Sequence, residues 1–193
     1  MDMTGTTRPL LFHMLYNDIR AHFTDALPEF PEEYQKLTDC VAGCALAHHK
    51  KTEISPISAE VNGATYFISS NPAGIKMLRL ELYGNEGALV FENADGFNRL
   101  DFGIGYNKLG KFPGKTRMSR TASIYEDGAY DCAASAEWAE ERKLKITARV
   151  IDTFLGKVVF NLGFDGDLLS LAVFRHAQRI LDGYSFRAVG MKL

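Results

Sequence analysis

The sequence predicts a mainly β protein: an antiparallel up-and-down barrel of about eight strands preceded by two α-helices. Three observations predict it. From Ile57 onward, runs of β-branched and aromatic residues alternate with polar ones at the period of two that marks a strand with one buried and one wet face. These runs are joined by short turns rich in Gly, Asn and Asp. Ahead of them, two stretches carry apolar residues at helical spacing.

Taken in order, Thr7 with Arg8-Pro9 is a helix start, because Thr caps free N–H groups and Pro is accepted in the first turn. Leu11, Leu15, Ile19 and Phe23 then recur at four-residue spacing, more apolar surface than a lone terminal helix should carry. Pro28 and Pro31 end it, and Glu32 to about His49 reads as a second helix weakened by Gly43. The polar joint Lys50 to Pro56 divides a helical segment, 1–56, from a barrel domain, 57–193.

In the barrel region, Ala64 to Ile68 is a strand. Leu78, Leu80 and Leu82 face inward on the next one, and Gly84-Asn85-Glu86-Gly87 turns it. Leu89 and Phe91 return, Asn93-Ala94-Asp95-Gly96 turns again, and Leu100, Phe102, Ile104 and Tyr106 follow. Lys108 to Arg120 reads as a loop, with strands at Ser119–Tyr125 and Tyr130–Trp138 after it. The alternation is cleanest between Ala134 and Val173: Leu144, Ile146, Ala148 and Val150, then Val158, Phe160, Leu162 and Phe164, then Leu169, Leu171 and Val173 after the Asp165-Gly166-Asp167 turn. Phe186, Val189 and Met191 make either a closing strand or a tail.

Bulk properties exclude several function classes. At 193 residues, 46% hydrophobic and 24% charged, the chain can bury a core of its own. A net charge of -2 with scattered Lys and Arg argues against nucleic acid as a partner. No apolar run approaches the roughly 20 residues of a membrane-spanning helix, and no secretory signal is present at the N-terminus. Three cysteines, an odd number, fit reduced thiols and a cytoplasmic location.

The constellations that could carry chemistry are weak. Gly110 and Gly114 are separated by three residues where a phosphate-binding loop needs four, although Gly114-Lys115-Thr116 imitates its end. Cys40, Cys44 and His48 would lie on one helical face but spread over about 12 Å of axis, too far for one tetrahedral metal. No metal or cofactor is therefore expected; His13 and His22 are read as surface or interface residues of the first helix, and His176 is given no role. Asp165-Gly166-Asp167 has the chemistry of a tight turn and lacks the further donors of a calcium loop. Phe97, Phe102, Tyr106, Tyr125, Tyr130 and Trp138 are aromatic candidates for the lining of a barrel pocket; Phe102, Tyr106, Tyr125, Tyr130 and Trp138 form the expected ligand site.

The order of elements resembles a known family. Tyr16-Asn17-Asp18-Ile19, the bend Leu27-Pro28-Glu29-Phe30-Pro31, Ser58 to Tyr66, Asn71-Pro72-Ala73-Gly74-Ile75-Lys76, Ala134-Ser135-Ala136-Glu137-Trp138 and Phe164-Asp165-Gly166-Asp167 are similar to the C-terminal region of β-lactamase-related serine hydrolases, penicillin-binding-protein-like and of class C type. The resemblance implies an accessory β-barrel that follows a catalytic domain. Tyr16 stands where that family tends to have Trp. The family's nucleophile is a Ser three residues before a Lys, and no Lys here has Ser at that offset; Tyr83-Gly84-Asn85 has the form of its second motif but falls on a predicted turn. The expectation is a non-catalytic accessory barrel, no enzyme itself, that packs on or regulates a serine-hydrolase catalytic domain, or pairs with itself through Leu11–Phe23. The alternative is a lipocalin-like binding protein for a small apolar ligand.

Overall fold

The structure is a computed structural model and describes residues 30–43, 46–50, 52–113, 129–152, 155–177, 181 and 183–193. It divides into two compact units, 1–45 and 46–193.

In the first unit the described element is α1, Pro31–Ala42. Pro31 presets the backbone of the first turn, and Glu32 and Glu33 oppose the positive end of the helix dipole. Gly43 closes it by donating its N–H to Asp39 O at 2.9 Å. The helix thus stops at Ala42, short of the predicted end near His49, because the chain turns at Gly43. Phe30, Tyr34, Leu37 and Val41 are exposed. The predicted helix over Leu11–Phe23 lies outside the described residues.

Among its described residues the second unit holds a one-turn helix, α2 (Ser58–Val61), and ten strands: β1 (Thr65–Ile68), β2 (Met77–Tyr83), β3 (Glu86–Asn93), β4 (Gly96–Ile104), β5 (Lys108–Phe112), β6 (Tyr130–Glu140), β7 (Lys143–Ile151), β8 (Leu155–Asp165), β9 (Leu168–His176) and β10 (Phe186–Lys192). Neighbours in the sheet run β4-β3-β2-β1-β10-β9-β8-β7-β6-β5, antiparallel throughout. A short parallel contact, Gly103 with Ser135 and Ile104 with Ala136, joins β4 to β6 and closes nine of the strands into a barrel. The fold class is the predicted one. Residues predicted as a loop after Lys108 include β5, which extends the sheet along the lower half of β6, and the segment Phe186–Lys192 is the closing strand. The predicted strand Ser119–Tyr125 lies outside the described residues.

The inward face follows the sequence alternation. Tyr66, Leu78, Leu80, Leu89, Phe91, Leu100, Phe102, Ile146, Phe160 and Leu171, with their inward neighbours, form one apolar cluster. Burial of this much apolar surface is what drives closure of the barrel. Gly87 is required for shape: a Cβ there would meet the Phe102 ring at 2.5 Å. Gly84 (φ 63) and Gly166 (φ 56) supply the left-handed backbone of two hairpin turns, so Tyr83-Gly84-Asn85 and Asp165-Gly166-Asp167 serve as turns.

One end of the barrel carries the β2–β3, β6–β7 and β8–β9 turns and α2. Ile57 and Val61 join the interior cluster, and Asn62 fixes α2 there by pairing with the Leu82 backbone in both directions, Leu82 N–H to Oδ1 at 2.8 Å and Nδ2 to Leu82 O at 3.3 Å. At the opposite end Phe112, Phe160 and Tyr184 stack edge to face, at 5.3 and 6.3 Å between ring centroids. Burial pushes the Tyr184 phenol up to about 12.

Candidate functional site

Two places concentrate polar groups in otherwise apolar or covered surroundings. The first is inside the barrel at the α2 end. Tyr66 on β1 and Trp138 on β6 both point inward, because each occupies the buried phase of its strand. Phe164 lies against both rings, with centroids 6.1 Å from Tyr66 and 6.3 Å from Trp138. Tyr66 is 0% exposed and Trp138 6%. Neither Tyr66 Oη nor Trp138 Nε1 has a hydrogen-bond partner among the described residues. Burial raises the Tyr66 pKa above the ordinary phenol value, and the carboxylates of Glu60 and Asp167 add to the rise. A buried donor left unpaired costs about 1–3 kcal/mol, so two in one apolar end are a conspicuous feature of this core.

The second place is on the outer face of β6 and β7. Residues 46–50 and 52–55 run over it, held by Asn107 Nδ2 to Leu46 O at 3.0 Å, Trp138 N–H to Thr52 Oγ1 at 3.0 Å, and the Ser55 hydroxyl to Glu141 O. His49 is the centre of this clasp: Nε2 meets Thr147 Oγ1 at 2.7 Å, Nδ1 meets Glu137 Oε1 at 3.0 Å, and its N–H meets Ser135 Oγ at 3.3 Å. Hydroxyl, imidazole and carboxylate in line would suit a nucleophile with its base. Here the Thr147 hydroxyl is shut between sheet and segment, since the residue is 2% exposed, and the arrangement works as a fastening. Burial lowers the His49 pKa; Glu137 opposes this, while Lys145 and Arg149 reinforce it.

Of the predicted pocket residues, Phe102 and Trp138 are inward and buried, and Tyr130 is buried at the far end of β6. Tyr106 is not in the interior. Gly105 (φ 80) breaks the alternation after Ile104, and the Tyr106 ring folds back over the outer face of Gly103, where its hydroxyl donates to Glu86 Oε1 at 2.5 Å. Phe97 is likewise exposed, beside the β3–β4 turn. Tyr125 and the Gly114-Lys115-Thr116 stretch lie outside the described residues. α1 carries Cys40 and ends at Ala42, so His48 lies beyond that helix, and Cys44 lies outside the described residues. Among the described residues, no group of three or more His, Cys, Asp or Glu is placed to hold a metal, and no helix is long and apolar enough to cross a membrane.

No protein-family model matches the chain, and no curated protein matches it. Solved structures do. It is similar to the REP1-NXSQ fatty acid transporter, at a TM-score of 0.47 and 5% identity over 70% of this chain and 97% of that one. It is also similar to the fatty-acid-binding protein from Manduca sexta, at a TM-score of 0.42 and 10% identity over 68% of this chain and 98% of that one.

Sequence reading missed Tyr66, and it noticed His49 only as a neighbour of possible metal ligands, not as the centre of a clasp. Tyr66 sits in a strand that was legible, but aromatic residues in small barrels commonly fill space, and nothing local marks its hydroxyl as unpaired. The partners of His49 lie 86 and 98 positions away, beyond any local pattern.

Proposed function

We propose that this protein binds a small, mostly apolar molecule at the α2 end of its barrel interior. The observation that carries the reading is the pair of buried, unpartnered donors, Tyr66 Oη and Trp138 Nε1, set in an apolar cluster. A core built only for stability gains nothing from two unmet hydrogen bonds, whereas a binding site uses a few placed polar groups in an apolar wall. Phe164 is in ring contact with both. Because other inward positions carry Phe and Leu, the ligand is short. The chain has one Trp, so its emission reports on the site directly. Native mass spectrometry of the intact chain should find a stoichiometric small molecule, and stripping it by solvent extraction should shift Trp138 emission. A bare chain whose emission answers to no apolar compound would overturn the reading.

A second reading is favoured by one outer feature. Phe97, Glu92, Met77, Phe67, Met191 and Leu168 are successive cross-strand neighbours over six strands, and Phe97, Phe67, Met191 and Leu168 are exposed. An apolar row of this kind suits packing on another domain, in keeping with an accessory barrel of a β-lactamase-related serine hydrolase. In this reading the chain co-purifies with a Ser-x-x-Lys hydrolase encoded beside it and Phe67→Lys releases it; two proteins that migrate separately would remove the idea.

A further inference from the structure

We propose that the polar end of the ligand is a neutral hydrogen-bond acceptor, such as a ketone, ester or amide carbonyl, and that the site rejects an ionised carboxylate; this rests on the interior-binding reading above. Trp138 Nε1 can only donate, and Tyr66 Oη is free to donate, so the two groups together ask for an acceptor. What surrounds them decides its charge. The inward residues of this end, Leu80, Leu144, Leu162, Phe164 and Leu169, are apolar and buried, with no cation among them. An anion placed there would lose its water without gaining a counter-charge, a heavy cost, whereas a carbonyl oxygen needs only the donors. The charges that reach Tyr66 are the carboxylates of Glu60 and Asp167, both repulsive to an anion. Lys192 pairs with Tyr66 across β1 and β10, but at the rim, half-buried at the end of its strand. An aliphatic ketone therefore places its chain along the Leu and Phe side chains and its oxygen at the two donors.

The test uses the full chain, freed of bound lipid, titrated at a pH above neutrality with 2-decanone, sodium decanoate and decane, and followed by Trp138 emission and calorimetry. The ketone should bind most tightly, decane more weakly, and decanoate least. Tyr66→Phe should weaken the ketone roughly three- to tenfold, the loss of one hydrogen bond, while leaving decane unchanged, which shows that the variant is folded. Decanoate binding as well as the ketone would overturn the proposal while leaving interior binding intact, and its loss in Lys192→Met would identify the rim cation as the anchor. Equal affinity for ketone and decane, with no effect of Tyr66→Phe, would also overturn it. Binding of none of the three would overturn the interior-binding reading itself.

Discussion

At the scale of single residues, Gly87 and His49 make opposite demands on the chain. Gly87 is a shape requirement: a methyl there would strike the Phe102 ring at 2.5 Å and Glu81 O at 2.7 Å, so either the ring or the β2–β3 pairing must move. Gly87→Ala should lower stability by about 1–3 kcal/mol, the usual cost of overpacking, read as a lower urea midpoint; an unchanged midpoint would mean that Phe102 does not fill this space. His49 is a charge requirement. Its folded-state pKa is lowered by burial, so the folded protein binds fewer protons than the unfolded chain between the two values. Its contribution is complete above the unfolded value of about 6.5 and is lost as pH falls toward the folded one. Unfolding free energy should thus fall as the pH drops below about 6.5, and His49→Gln should flatten that slope. Equal slopes in both proteins would show that other groups govern the acid response. The same scale shows why sequence reading succeeds or fails. Phe102 and Trp138 keep strict parity with their strands and were legible as inward, whereas Tyr106 follows Gly105, whose positive φ reverses the face on which the next side chain lies.

At the scale of elements, the segment before α2 belongs to the barrel. The polar stretch Lys50–Pro56 reads as a joint because it lacks periodicity, yet the unit begins at Leu46 and not at Ile57. The reason is physical: Trp138 lies beyond the point where β4 leaves β6, and its free N–H is met by Thr52 instead of a strand. Ser55 does the same for the β6–β7 turn, taking the Ile57 N–H at 3.3 Å and donating to Glu141 O. A chain beginning at Leu46 should unfold at the same denaturant concentration as the barrel of the full chain. One beginning at Ile57 should lose about 3–6 kcal/mol, at roughly 0.5–1 kcal/mol for each of the six polar contacts that the clasp makes with the sheet. Equal stability of the two would show that residues 46–56 only rest on the sheet. β5 was illegible for a related reason: Gly110 and the neighbouring lysines look like a loop, and only pairing with β6, far along the chain, makes them a strand.

At the scale of the whole molecule, closure depends on a strand from the end of the chain. Among the described residues, strand pairing links β1 through β4 to β6 through β9 by way of β10 and of the two residue pairs between β4 and β6. β10 pairs with β9 over Phe186–Met191 and with β1 over Gly190–Lys192, and Gly190 admits the Tyr66 and Ile68 side chains where a Cβ would come within 2.8–3.2 Å. The outer surface is also divided. On β2–β4, Glu81 gathers Tyr83, Arg99 and Arg79, which hold its carboxyl down at about 2, while the apolar row through Phe67 and Met191 crosses β1 and β10 beside it. β10 therefore carries both the closure and part of that row, and the two roles can be separated. Removing residues 186–193 uncovers two strand edges and the inward side chains at once, so unfolding should lose its single cooperative transition and the protein should bind a hydrophobic dye. Met191→Ser alters the outer row alone and should leave that transition within about 0.5 kcal/mol of the parent, as surface changes do. A truncated chain that still unfolded in one sharp step would mean that the β4–β6 contact holds the barrel without β10.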